Sequence, residues 1–329
     1  MNRNIVRYAA AVLLLAVGLL LPTITGGGGT TTLLEQVFTF GAFAMSYDLL
    51  LGFTGIISFG HAMFFGTGAY IMGICLVRGN ASTLSFVCGA MLAVVVSVML
   101  SLVVAFLSLR MKDTYFAMIT LAVGQTFYVL AGSRALQPWT NANDGITVFV
   151  PDWLNSDYAI YCLCFLFCVA VAFLLFQFVK SPVGVILKGI RDNESRMVAL
   201  GHSVFRYKTA AFVISGIVAT LAGALFVIAE MFVSTQVFDV STSINVLLMT
   251  IIGGTGTLFG GLLGAAVILI AQSEFSTLAG TYPMFNDYMI LFGVLYVLVV
   301  LFLPRGILGT ILQERGRRRW TTRFLNSNR

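Results

Sequence analysis

An all-α, polytopic transmembrane helical bundle is the fold that this sequence predicts. Its composition, the spacing of its apolar runs and the placement of its basic residues all point that way. Of 329 residues, 59% are hydrophobic and 10% charged, with a mean hydropathy of +0.96. A soluble domain carries about 25% charged residues. A hydrocarbon core about 30 Å thick takes about 20 apolar residues per helical span, so a chain of this length has room for about ten spans and no large soluble domain.

Ten apolar runs follow one another along the chain. The first, 5–22, follows Arg3 and Arg7 in the manner of a secretory signal, but no clean small-x-small cleavage site follows it and it is long enough to stay as a span. Runs 33–52 and 56–77 are separated only by the corner Gly52-Phe53-Thr54-Gly55. Runs 84–109, 114–133, 158–179 and 208–230 have spanning length, 242–253 is too short to cross alone, and 258–279 and 286–303 complete the set. Irregular backbone at membrane depth needs protein or a water-filled cavity to satisfy it. The corner and the short run are therefore candidate pathway elements.

With the N-terminus placed inside, alternation leaves only Arg78 and Arg134 of the nineteen basic residues outside. So strong a bias predicts an even number of spans, N-in and C-in. The basic residues then act as orientation signals, and nucleic-acid binding is disfavoured. The longest outside loop, 134–157, carries Asp144, Asp152 and Asp157, while the inside loop 180–208 is basic.

That inside loop opens on Ser181-Pro182, an N-cap followed by a proline at the first helical position. Val183, Ile186, Leu187 and Ile190 recur at helical spacing, Lys188 and Asp192 stand four apart, and Gly201 is placed to end the element. The segment reads as a short amphipathic helix broken near Asn193. It either lies on the lipid surface or docks a partner.

Chemistry is sparse elsewhere. No phosphate-binding loop with its lysine, no H-E-x-x-H helix and no nucleophile elbow occurs. Five cysteines fall in or beside apolar runs and only two histidines exist, so neither a zinc site nor a disulfide framework is expected, and no cofactor. His61 sits among Phe59, Phe64 and Phe65. It is either a functional group at membrane depth or a satisfied packing histidine. Gly55, Gly60, Gly66 and Gly68 permit either an unwound segment or close helix packing. The string 52–60 (GFTGIISFG) is echoed by 254–260 (GTGTLFG), as duplicated transporter halves would produce.

Four motifs in order carry a resemblance. The segment 184–201 (GVILKGIRDNESRMVALG) is similar to the cytoplasmic coupling loop of ABC importer permeases. Residues 49–70 (LLLGFTGIISFGHAMFFGTGAY), 205–212 (FRYKTAAF) with 222–225 (AGAL), and 253–260 (GGTGTLFG) resemble the LivM-type permeases for branched-chain amino acids, over about residues 33–309. Sequences of permeases for urea or short amides look similar.

The resemblance implies one permease domain over 1–329, with a coupling loop at 180–206. It implies partners: a second, LivH-like permease, two cytoplasmic ATPase subunits and a periplasmic substrate-binding protein, in a bacterial inner membrane. The chain itself is then not an enzyme. ATPase coupling is expected from Gly184, Gly189, Ile190, Arg191, Asp192, Glu194, Met197, Ala199 and Gly201, with Ile190 and Met197 as apolar anchors. Gly55, Ser58, Gly60, His61, Phe64, Gly254 and Gly256 are the translocation-pathway candidates. The cytoplasmic tail 310–329, rich in arginine and holding Trp320, suits the anionic inner leaflet, at about 1 kcal/mol per Arg near the surface, or an ATPase subunit. A self-sufficient transporter or channel would instead require ionisable pairs deep in the spans, and those are few.

Overall fold

The computed structural model describes residues 29–111, 113–281, 293 and 306–310. The expected first span at 5–22, nearly all of the tenth at 286–303, and the basic tail beyond residue 310 lie outside the described residues.

Ten helices carry the described bundle and its basic loop, besides a four-residue helix at Gln137–Thr140, three 3-10 turns and the helical residues 306–310. Six are long and apolar enough to cross a membrane: α1 (Gly29–Thr54), α3 (Thr83–Ser108), α4 (Asp113–Ala131), α5 (Asp157–Lys180), α8 (Val204–Glu230) and α10 (Phe259–Thr281). Two shorter apolar helices, α2 (Ala62–Arg78) and α9 (Val240–Gly253), lie among them. Two more, α6 (Pro182–Asp192) and α7 (Glu194–Ala199), fill the basic loop. The protein is an all-α, multi-pass membrane bundle. Its described exception is a ribbon of two-residue strands, β1 (Ile146–Thr147) antiparallel to β2 (Phe232–Val233).

Burial sorts the helices. The most apolar 18-residue windows of α1 and α8 are 83% and 72% buried, against 28% for α3, α4 and α10. A helix apolar all round is stable only when enclosed by protein or lipid. Accordingly α1 and α8 form the centre, with α2, α3, α5 and α10 packed around them. Leu84, Met91, Met99 and Phe106 of α3 point outward, as side chains facing lipid or another subunit would.

Two corrections concern the third span. Helix α1 runs through the corner at residues 52–54 instead of ending before it, and Gly55 through His61 is non-helical, so α2 begins at Ala62 and not near residue 56. The apolar run continues through the break, which is why hydropathy alone misplaces it. Helix α2 compensates by lying directly against α8. A Cβ on Gly68 would overlap the Thr220 carbonyl, and one on Gly223 would overlap the Phe65 carbonyl. Such backbone contact is how membrane helices gain packing where lipid supplies no hydrophobic drive.

The loops group at two opposite ends. One end holds the 55–61 corner, α6, α7 and the 254–258 turn. The other holds Gln36, Glu230 and the β1–β2 ribbon, with Gln36 donating to the Glu230 carboxylate at 2.6 Å.

Candidate functional site

The basic loop folds as its capping residues dictate. Ser181 accepts from the Gly184 N–H at 3.4 Å and Pro182 takes the first helical turn of α6. At Asn193 the backbone extends (φ −162°, ψ 100°), and its side chain accepts from the Arg196 N–H at 2.9 Å, so one residue ends α6 and caps α7. Gly201 closes the unit with φ +85°.

The apolar stripe of α6 docks on the bundle. Gly184, Leu187 and Ile190 are buried, against α1, α5 and α8. Ile190 is only 3% exposed, so its side chain anchors the elbow to the bundle. Met197 packs its sulfur against Gly189. Helix α7 has no buried residue, and beside Ala199 the exposed Val198 and Leu200 present the outward apolar surface. Sequence reasoning missed these two.

The polar members of the set divide similarly. Glu194 pairs with Lys208 at 2.8 Å, tying α7 to the first turns of α8. Arg191 Nη1 donates to the carbonyl of Gly52. Asp192 is exposed and carries no hydrogen bond or ion pair among the described residues.

Arg191 stands where the two Gly-rich corners meet. A Cβ on Gly52 would overlap the Gly256 backbone and the Asp48 carboxyl, and one on Gly256 would come 3.2 Å from Arg191 Nη1. The N–H groups of Gly256 and Leu258 donate to the two carboxyl oxygens of Asp48 at 2.7 and 2.8 Å. Gly254 and Gly256 take φ of +117° and +78°, a region open to glycine at little cost. Gly55, Gly254 and Gly256 are thereby brought together beside Arg191, around a wholly buried Asp48.

The other pathway candidates lie deeper. Gly60 abuts the Thr120 carbonyl of α4, and Ser58 and Phe64 are fully buried, the latter edge-on to Phe212. His61 is also fully buried, stacked on Phe43 with ring centroids 5.5 Å apart. Its Nε2 lies 3.2 Å from Ser46 Oγ and 3.3 Å from Ser215 Oγ. Each hydroxyl has one proton, and these are donated elsewhere: Ser46 to the Phe43 carbonyl and Ser215 to the Ser46 carbonyl. Both hydroxyls therefore offer lone pairs to His61, so Nε2 bears the ring proton. Nδ1 has no described partner. Among the described residues no three His, Cys, Asp or Glu side chains converge as metal ligands would.

The sequence that builds these apolar helices, paired glycine corners and capped polar elbow has relatives. The family model for the branched-chain amino acid transport system / permease component matches residues 29–301. The chain belongs to this family. Relatives of this permease component include the high-affinity branched-chain amino acid transport system permease proteins LivM of Salmonella typhimurium and Escherichia coli. They are 26% and 25% identical to it, and each match covers 80% of this chain and 66% of the relative. A probable branched-chain amino acid transport permease protein LivM of Methanocaldococcus jannaschii is 23% identical over 74% of this chain and 69% of its own length. The permease component described here thus spans about two thirds of the length of the two bacterial relatives. No solved structure matches it.

Proposed function

We propose that this chain is the membrane permease subunit of an ABC importer that carries branched-chain amino acids across the bacterial inner membrane. ATP hydrolysis belongs to two separate cytoplasmic subunits. A second, LivH-like permease completes the pathway, and a periplasmic binding protein delivers the substrate. The whole chain, 1–329, acts as one permease domain of ten spans with both termini inside. Residues 180–206 form the coupling loop, and the tail 310–329 lies on the inner leaflet.

One observation carries the reading beyond family membership: α6 rests against both glycine corners through Arg191. Displacement of the elbow by a closing ATPase pair therefore reaches the 55–61 segment and the 254–258 turn together. ATP would act by differential stabilisation of one arrangement of these corners over another. Gly184, Leu187 and Ile190 hold the elbow to the bundle, and Asp192, Val198, Ala199 and Leu200 form the face offered to the ATPase. The pathway itself involves the segment from Gly55 to Phe64 and the turn at Gly254–Gly256.

The test is reconstitution. Vesicles holding the complete complex should accumulate leucine, isoleucine or valine against a gradient only with ATP and the binding protein. Uphill uptake by this chain alone would defeat the proposal in favour of a self-sufficient transporter. Preference for urea or a short amide would move it to that branch of importers.

A further inference from the structure

At the end of the bundle opposite Arg191, a cavity of about 280 Å³ opens between α1, α2, α8 and the start of α9. Small-molecule sites run from roughly 300 to 1,000 Å³, so this one suits a ligand of amino-acid size. Its apolar wall is three rings in mutual contact. Phe40 and Phe65 stack at 5.5 Å, and Phe226 meets them at 5.6 and 5.2 Å. Its polar rim is Glu230, Gln236 and Thr242.

The rim has an unbalanced charge. Glu230 Oε1 accepts from Gln36, and among the described residues Oε2 has no hydrogen-bond partner and no basic side chain pairs with the carboxylate. Glu35, next to Gln36 on α1, is buried at 3% exposure with one carboxyl oxygen unpartnered among the described residues. A carboxylate near the membrane without a cation is a functional-site hypothesis by default. An apolar wall beside it selects what the cation must be attached to.

We infer that this cavity is the entry subsite for a zwitterionic amino acid with an apolar side chain. The inference rests on the proposed reading of the chain as an amino-acid permease. The substrate's ammonium group pairs with the free oxygen of Glu230, its side chain lies on Phe40, Phe65 and Phe226, and its carboxylate accepts from the side-chain amide of Gln236, while the Thr242 hydroxyl, which donates to the Gln236 carbonyl, holds that residue in place. Placing ammonium and side chain on different surfaces lets one pocket demand both features.

The test uses the assembled complex without its binding protein, titrated with L-leucine, L-alanine and 4-methylpentanoate, which has leucine's side chain but no ammonium. Leucine should bind saturably and 4-methylpentanoate at least tenfold more weakly, as expected for loss of a charge-assisted hydrogen bond. Glu230→Gln should cost leucine about tenfold and leave 4-methylpentanoate unchanged. Phe226→Ala should erase the preference of leucine over alanine, with Phe226→Leu restoring part of it. Normal ATP hydrolysis in each variant verifies assembly. Unchanged leucine affinity in both assembled variants overturns the inference, as does calcium binding that needs Glu230 while leucine does not bind. Wild-type vesicles that fail at ATP-driven leucine uptake overturn the function proposed above instead, so the two failures are distinguishable.

Discussion

The guanidinium of Arg191 donates a hydrogen bond to the backbone carbonyl of Gly52. That bond joins an exposed amphipathic helix to the end of the most buried span, and a guanidinium suits the task because its forked donors can face two backbones at once. Gly256 lies against the same nitrogen. The elbow and both glycine corners are therefore packed together at one point.

Arg191→Ala should leave insertion and assembly intact while uncoupling transport, since the elbow keeps Leu187 and Ile190 but loses its grip on the corner. The expected outcome is more ATP hydrolysed per amino acid imported. Exchanging charges, as Arg191→Glu with Glu194→Arg, should be worse, because it also places two cations together at Lys208. Unaltered stoichiometry in vesicles for both variants would refute the role of this bond.

Asp48 offers a stability prediction. Asparagine keeps the shape but presents an amide where a carboxyl oxygen now accepts, leaving one of the two N–H donors of Gly256 and Leu258 unmatched in a fully buried site. Leaving one buried donor unsatisfied costs about 1–3 kcal/mol. Thermal unfolding of the purified complex should shift downward for Asp48→Asn, and a wild-type midpoint would show that the turn is held some other way.

How much of this was legible in the sequence follows from which forces act locally. Capping is local, so Ser181-Pro182 and Asn193 announced both ends of α6. Hydropathy is local too, and it found every described span, including the short α9. What it could not place was the break from Gly55 to His61, because those residues are as apolar as a helix and tertiary contacts, Gly60 with Thr120 and Gly55 with Arg191, lie beyond what local hydropathy reads. The repeated glycine strings at 52–60 and 254–260 hinted at related corners, but their meeting beside Arg191 is a tertiary fact. Periodicity likewise showed the apolar stripe through Leu187 and Ile190 but not that it packs on α1, α5 and α8.

The crossing of α2 and α8 yields a third prediction. Gly68→Val and Gly223→Val each place side-chain atoms on a facing backbone carbonyl, where neither helix can retreat through a rotamer change. Overpacking of this kind costs about 1–3 kcal/mol. Gly201→Ala makes a useful contrast, because nothing lies within 4 Å of that position and only its positive φ resists the change. Both valine variants should unfold at lower temperature than the alanine variant, and the reverse order would argue against backbone contact at the crossing.

The proposed sidedness makes a further prediction, because the same helices carry both ends of the bundle. Helix α8 runs from Lys208, paired with Glu194 of the elbow, to Glu230, bonded to Gln36. The ribbon joining Ile146 to Val233 lies at the Glu230 end. Residues 149 and 198 therefore lie at opposite ends of the bundle, which the proposed topology places on opposite faces of the membrane, and both are well exposed, Phe149 at 72% and Val198 at 58%. In a variant with its five cysteines replaced, Phe149→Cys should react with an impermeant maleimide on intact cells after opening of the outer membrane, and Val198→Cys only after lysis. Labelling of both from one side would break the proposed topology. Labelling of the pair with sides exchanged would place the elbow outside, out of reach of any cytoplasmic ATPase.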